Sequence, residues 1–172
     1  MNRIALSLLT LALLLAPIQS FAGENIQSEG KFGIGLGLGY PTNGVSANYF
    51  LKQNMSIQSN LGIWGMGSGW FGVGIRGDFL FWPGQIASLS WADVTWYVGP
   101  GLNLFYFSWT GGGSNSAYVG VGIEAPVGIG FQFKKIPLDL FAEFVPVLHI
   151  VGSVGVGAGF GVAGTLNSRY YF

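Results

Sequence analysis

The side chains that could carry chemistry are few. His149 is the sole histidine, and cysteine is absent. A metal site needs several convergent ligands, and one His without Cys does not supply them. Ser153 lies four residues after His149. No Asp or Glu stands close by in sequence to complete a hydrolytic set of the Ser-His-Asp kind. Gly72-Val73-Gly74-Ile75-Arg76-Gly77 fits G-x-G-x-x-G. That motif holds a pyrophosphate only where a helix follows directly. Here alternating residues continue through Phe79, Phe81 and Trp82, so the glycines belong to a strand. No catalytic residue, metal or cofactor is expected. What remains is a small set of charges: Arg76, Asp78, Glu124, Asp139, Glu143 and Arg169.

The scarcity of charge is itself informative. Charged residues make up 8% of the 172-residue chain, half of the residues are hydrophobic, and 30 are Gly. Soluble domains carry roughly 25% charged residues. Formal net charge is zero, and no basic stripe offers a nucleic acid its electrostatic footprint. A chain of this length suits one domain, whose surface must meet something other than water.

The N-terminus has the order of a secretory signal. Asn2 and Arg3 give a short, positive start. Leu6 to Ile18 is an apolar run interrupted by Ser7, Thr10 and Pro17. Ser20-Phe21-Ala22 places small residues where a signal peptidase reads them, which predicts cleavage after Ala22. The apolar run is shorter than the ~20 residues of a spanning helix.

From residue 31 onward the dominant pattern is alternation. In Lys31-Phe32-Gly33-Ile34-Gly35-Leu36-Gly37-Leu38-Gly39-Tyr40, Phe and Ile/Leu/Tyr share one face and four glycines share the other. Period two is a strand signature. It returns in 71–75, 119–123 and 154–160. Eight strands are expected, at roughly 31–40, 45–52, 55–64, 70–82, 94–107, 117–133, 137–149 and 155–172. Turn residues separate them: Pro41-Thr42-Asn43-Gly44, Lys52-Gln53-Asn54, Gly65 to Gly69, Pro83 to Asp93, Thr110 to Ser116, Lys134 to Pro137, and a turn near Gly152. Strands of about ten residues fit a transmembrane barrel. Phe144 to Ala163 is apolar enough to suggest a spanning helix, but it holds Pro146, His149 and five glycines. Each interior Gly costs a helix roughly 1 kcal/mol against Ala. Spanning sheets must close, since an open edge leaves backbone groups unsatisfied in lipid.

Strand phase then sorts the charges. Phe71, Val73, Ile75, Phe79 and Phe81 point outward, so Arg76 and Asp78 point inward. The same reasoning turns Glu124, Asp139, Glu143 and Arg169 into the lumen. An eight-stranded barrel has room for side chains there and no continuous channel. Buried charges demand partners, so a salt-bridged plug is expected, with a gate or proton path as the alternative. Aromatic residues gather at strand ends. Tyr40, Trp64, Trp70, Tyr106, Trp109 and Tyr118 are expected at one rim. Tyr49, Trp82, Trp96, Phe131, Phe133, Tyr170 and Phe172 are expected at the other, as two interfacial belts.

The chain ends Arg169-Tyr170-Tyr171-Phe172, with Tyr170, Phe172, Leu166, Val162 and Phe160 on one face. A last strand ending in Phe, with an aromatic two residues earlier, resembles the terminal signal of bacterial outer-membrane barrels. Size and strand number resemble the small OmpA/OmpX-like class, over nearly all of the chain after the signal. The resemblance implies an all-β, antiparallel up-and-down transmembrane β-barrel of eight strands. It also implies an exported protein of the bacterial outer membrane, in contact with lipid and with the barrel assembly machinery, which would read Tyr170 and Phe172. The division expected is a signal peptide (1–22), a short periplasmic N-terminal segment (23–30) and the barrel (31–172). Connections are shorter than is usual in that class. The His-x-Ser spacing of the lipid A deacylases is absent. The expected role is therefore structural or surface-interacting and non-enzymatic. The alternative is a surface binding module that contacts a host or envelope partner through outer-loop residues such as Trp109 and Tyr118. A lipid-modifying enzyme and a narrow pore rank below both.

Overall fold

The computed structural model describes residues 26–39, 43–64, 69–111, 114–152 and 158–172. The expected signal peptide, the expected rim residue Tyr40, the expected turn residues Pro41 and Gly65, and Ser153 lie outside these. The strands are β1 (Phe32–Gly39), β2 (Gly44–Lys52), β3 (Met55–Trp64), β4 (Trp70–Ser88) and β5 (Ala92–Val98), then β6 (Gly101–Gly111), β7 (Ser114–Glu124), β8 (Val127–Phe133), β9 (Leu138–Gly152) and β10 (Gly159–Tyr171). Among the described residues no helix is long and apolar enough to cross a membrane.

All pairings are antiparallel, and the sheet closes where β1 meets β10, with Gly33 opposite Tyr171 and Gly39 opposite Thr165. Ten segments make eight wall strands. β4 pairs with β6 from Trp70 to Asp78 and then with β5 from Phe81 to Ser88. β9 likewise pairs with β8 and then with β7. So β5–β6 is one wall strand and β7–β8 another, each interrupted once.

The interruptions correct the unbroken strands expected over 94–107 and 117–133, and proline explains them. Pro100 and Pro126 have no backbone N–H to give the ladder. Their carbonyls still accept, from Phe79 N at 2.9 Å and Gly99 N at 3.2 Å, and Pro146 O accepts from Ala125 N at 3.1 Å. A row of prolines thus crosses three neighbouring wall strands without opening the wall.

The connection expected over Pro83 to Asp93 is also corrected. β4 runs on to Ser88, leaving residues 89–91 as the turn. β3 accompanies β4 only as far as Met55 opposite Phe81. Beyond that point β4 is an edge, where proline is tolerated. The register slips between Phe81 and Gly84 and again between Gln85 and Ala87.

Alternation assigns the two faces. Leu36, Leu38, Leu61, Ile75, Leu104, Ile129, Phe144, Val162 and Leu166 are exposed on the outside. Their inward neighbours Ser46, Asn60, Arg76, Asn103, Glu143, Thr165 and Asn167 are buried. This inversion of the usual soluble arrangement is that of a barrel whose outer wall faces hydrocarbon.

Candidate functional site in the barrel lumen

Large inward side chains need room, and glycines on neighbouring strands supply it. Tyr171 faces Gly33, Tyr97 faces Gly128, Phe105 faces Gly120 and Phe141 faces Gly130 in the ladders. A Cβ at Gly33 would lie 2.6 Å from the Tyr171 ring, and one at Gly120 2.3 Å from the Phe105 ring. The alternating glycines are therefore a packing code for a narrow interior.

Two charge clusters occupy that interior. Arg76 on β4 reaches Asp78 Oδ2, Glu124 Oε1 and Glu143 Oε2, each at 2.8 Å. Three carboxylates around one guanidinium leave negative charge to be met by neutral donors. Asn103 Nδ2 donates to Glu124 at 2.7 Å. Tyr97 Oη and Thr165 Oγ1 donate to Glu143. Gln58 Nε2 donates to Glu143 at 2.6 Å and to Asp78 at 3.2 Å.

The second cluster joins Arg169 and Asp139, with Nη2 2.9 Å from Oδ2. Arg169 Nε and backbone N also donate to this carboxylate, and Tyr171 Oη donates to it at 2.6 Å. The ladder sets Gly159 opposite His149 and so brings Arg169 directly opposite Asp139.

Gln58 links the clusters, because its Oε1 accepts from Arg169 Nη1. Sequence reasoning did not single it out. The signal was there: in β3, Ile57, Leu61 and Ile63 are exposed outward, so Ser56, Gln58 and Asn60 in the alternate phase face in.

Toward the end that holds Ile26 and Phe172, aromatic rings pack together in the lumen. Trp82 lies 5.2 Å from Phe50, 4.7 Å from Tyr97 and 5.3 Å from Phe141. Phe50 also contacts Tyr171, and Ile26 and Leu80 complete the cluster. Trp82 was expected in a belt but is buried. It shares the inward phase of Arg76, Asp78 and Leu80, and its Nε1 donates to Ser56 Oγ at 2.8 Å. The Arg169 guanidinium sits over the Phe141 ring.

The other expected residues lie apart from this network. Tyr170 and Phe172 are on the outer face, their rings 5.2 Å apart. Trp109 is exposed at the far end of β6. Tyr118 was paired with it as a loop contact, but it has inward phase and its ring lies 5.4 Å from that of Phe105. His149 also faces inward, with its ring edge-on to Phe105 at 5.5 Å. Among the described residues no group of three His, Asp or Glu side chains could hold a metal ion.

Fold and lumen together define a small antiparallel up-and-down β-barrel of eight wall strands, apolar on its outer face and polar within. No family model and no curated protein matches the chain. It is similar to the crystal structure of Ail, the attachment invasion locus protein of Yersinia pestis, at a TM-score of 0.46 and 11% identity. The match covers 84% of this chain and 99% of that one.

Proposed function

We propose that the protein is a non-enzymatic integral barrel of a bacterial outer membrane, exported with a cleaved signal peptide. Its role is structural or surface-interacting, and its lumen is plugged by side chains. The observation that carries this reading is the linkage of Arg76 and Arg169 through Gln58 across the interior, backed by the ring cluster of Trp82. Groups fixed in mutual ion pairs and hydrogen bonds leave no open path for an ion and resist the rearrangement that a gate requires. The two termini would then face the periplasm. Purified, refolded protein added to planar bilayers should produce no steady conductance. Regular open-channel steps would refute the plug. The same material should show heat-modifiable migration on gels and a β-type circular dichroism spectrum.

A second reading, a surface binding module, is favoured by one feature. β6 and β7 pair over eleven positions, from Gly101–Glu124 to Gly111–Ser114, whereas β9 accompanies β7 only over Gly120–Glu124. Among the described residues β9 thus leaves β7 before β4 leaves β6, whose Trp109 stands opposite Trp70 and is exposed. A pull-down from intact cells tests it, with residues 108–117 deleted as the control. A partner retained by the parent and lost on deletion supports a module, and its absence leaves the structural role.

A further inference from the structure

We propose that the terminal end of the barrel holds a binding site for an uncharged saccharide of one or two rings. A cavity of about 570 Å³ lies there; Ile26 borders both it and the ring cluster, and no member of either arginine network lines it. That volume falls within the ~300–1,000 Å³ of small-molecule sites.

The ladders explain the lining. Gln85 on β4 stands opposite Thr95 on β5, and Asp93 on β5 stands opposite Gln132 on β8. All four line the cavity, together with Gln53 from the β2–β3 turn. Thr95 and Gln132 are more than nine-tenths buried. Thr95 Oγ1 and Gln132 Nε2 have no hydrogen-bond partner among the described residues. Buried polar atoms in native proteins are almost always paired, and these two border the cavity, where a ligand's polar groups can pair with them.

The chemistry of the lining selects the ligand. Its two charges satisfy one another, with Lys134 Nζ 3.0 Å from Asp93 Oδ1. Asp93 also accepts from Gln85 at 2.9 Å and from Ser88 at 2.7 Å. An ionic ligand therefore finds no unpaired countercharge. The groups on offer are carboxamides and a hydroxyl, which both donate and accept, as a sugar's hydroxyls do. Ile26 and Phe133 add apolar wall against which the C–H face of a sugar ring can lie.

The experiment is calorimetric titration of the refolded mature chain in detergent with N,N′-diacetylchitobiose and with maltose. Saturable binding of at least one sugar is expected. Gln132→Leu and Thr95→Val should each weaken it about tenfold, as loss of one such hydrogen bond implies, with heat-modifiable migration unchanged. Should either variant fail to fold, exposed Gln85→Ala carries the same expectation. The proposal is overturned if neither sugar binds, if the variants bind like the parent, or if inorganic phosphate binds in preference. It is also overturned if sugar binds only after residues 23–25 are removed, since the chain itself would then occupy the cavity.

Discussion

Tyr97 and Gly128 are directly opposed in the β5–β8 ladder, and a Cβ at Gly128 would fall 2.3 Å from the Tyr97 ring. Tyr97 cannot swing aside. It is fully buried, wedged between Trp82 and Phe141, and donates to Glu143. Gly128→Ala should therefore destabilise the barrel by about 1–3 kcal/mol, the usual cost of overpacking. Gly77→Ala is the control, because a Cβ there meets nothing within 4 Å. Urea unfolding midpoints in lipid vesicles compare the two, and equal midpoints would show that Tyr97 yields.

Arg76 and Lys134 predict a contrast between buried and exposed ion pairs. Removing Arg76 strands three buried carboxylates. Arg76→Ala should cost about 3–5 kcal/mol, as breaking a buried pair does. Lys134 pairs with Asp93 at the surface, each side chain about a third exposed, and such pairs contribute roughly 0–1 kcal/mol. Lys134→Ala should be near neutral. Equal unfolding midpoints in urea would mean that the Arg76 cluster does not stabilise the fold.

Gln58 predicts coupling between the two clusters. Gln58→Leu withdraws hydrogen bonds from Asp78, Glu143 and Arg169, and each bond to a charged group is worth about 1.5–3 kcal/mol. In a double-mutant cycle, Gln58→Leu and Arg169→Met should deviate from additivity by about 0.5–3 kcal/mol, as contacting residues do. Strict additivity would make the clusters independent.

Phe172 predicts a separation between assembly and stability. Its side chain is more than half exposed, while its backbone N donates to Phe32 O at 2.9 Å at the closing seam. Deleting Phe172 should leave refolding in detergent largely intact and sharply lower the surface level in cells. Normal surface levels would remove the assembly role from this residue.

Much of the barrel was legible because period two is a local property. Once Ile75 and Phe79 face lipid, Arg76 and Asp78 must face in, and the same rule reached Glu124, Asp139, Glu143 and Arg169. Applied without regard to polarity it also gives Gln58, Tyr97, Phe141 and Tyr171. Gln58 was missed because it carries no charge, and the three rings because an inward aromatic reads like an outward one. Trp82 and Tyr118 went to the rims for the same reason. Pro83 read as a loop residue because sequence does not reveal that β3 has already ended beside it.

By itself the sequence determined the strand-forming alternation, the closure that lipid demands of it, and the inward phase of six charges. Each follows from the backbone of neighbouring residues. Only the tertiary structure decided which charges meet. Arg76 and Glu143 are 67 positions apart, and their contact depends on the shear of the closed sheet. That shear is fixed jointly by every ladder, by the slips around Pro83 and by the proline row through Pro100, Pro126 and Pro146. No local pattern encodes it, because it is the sum of registers around the whole ring.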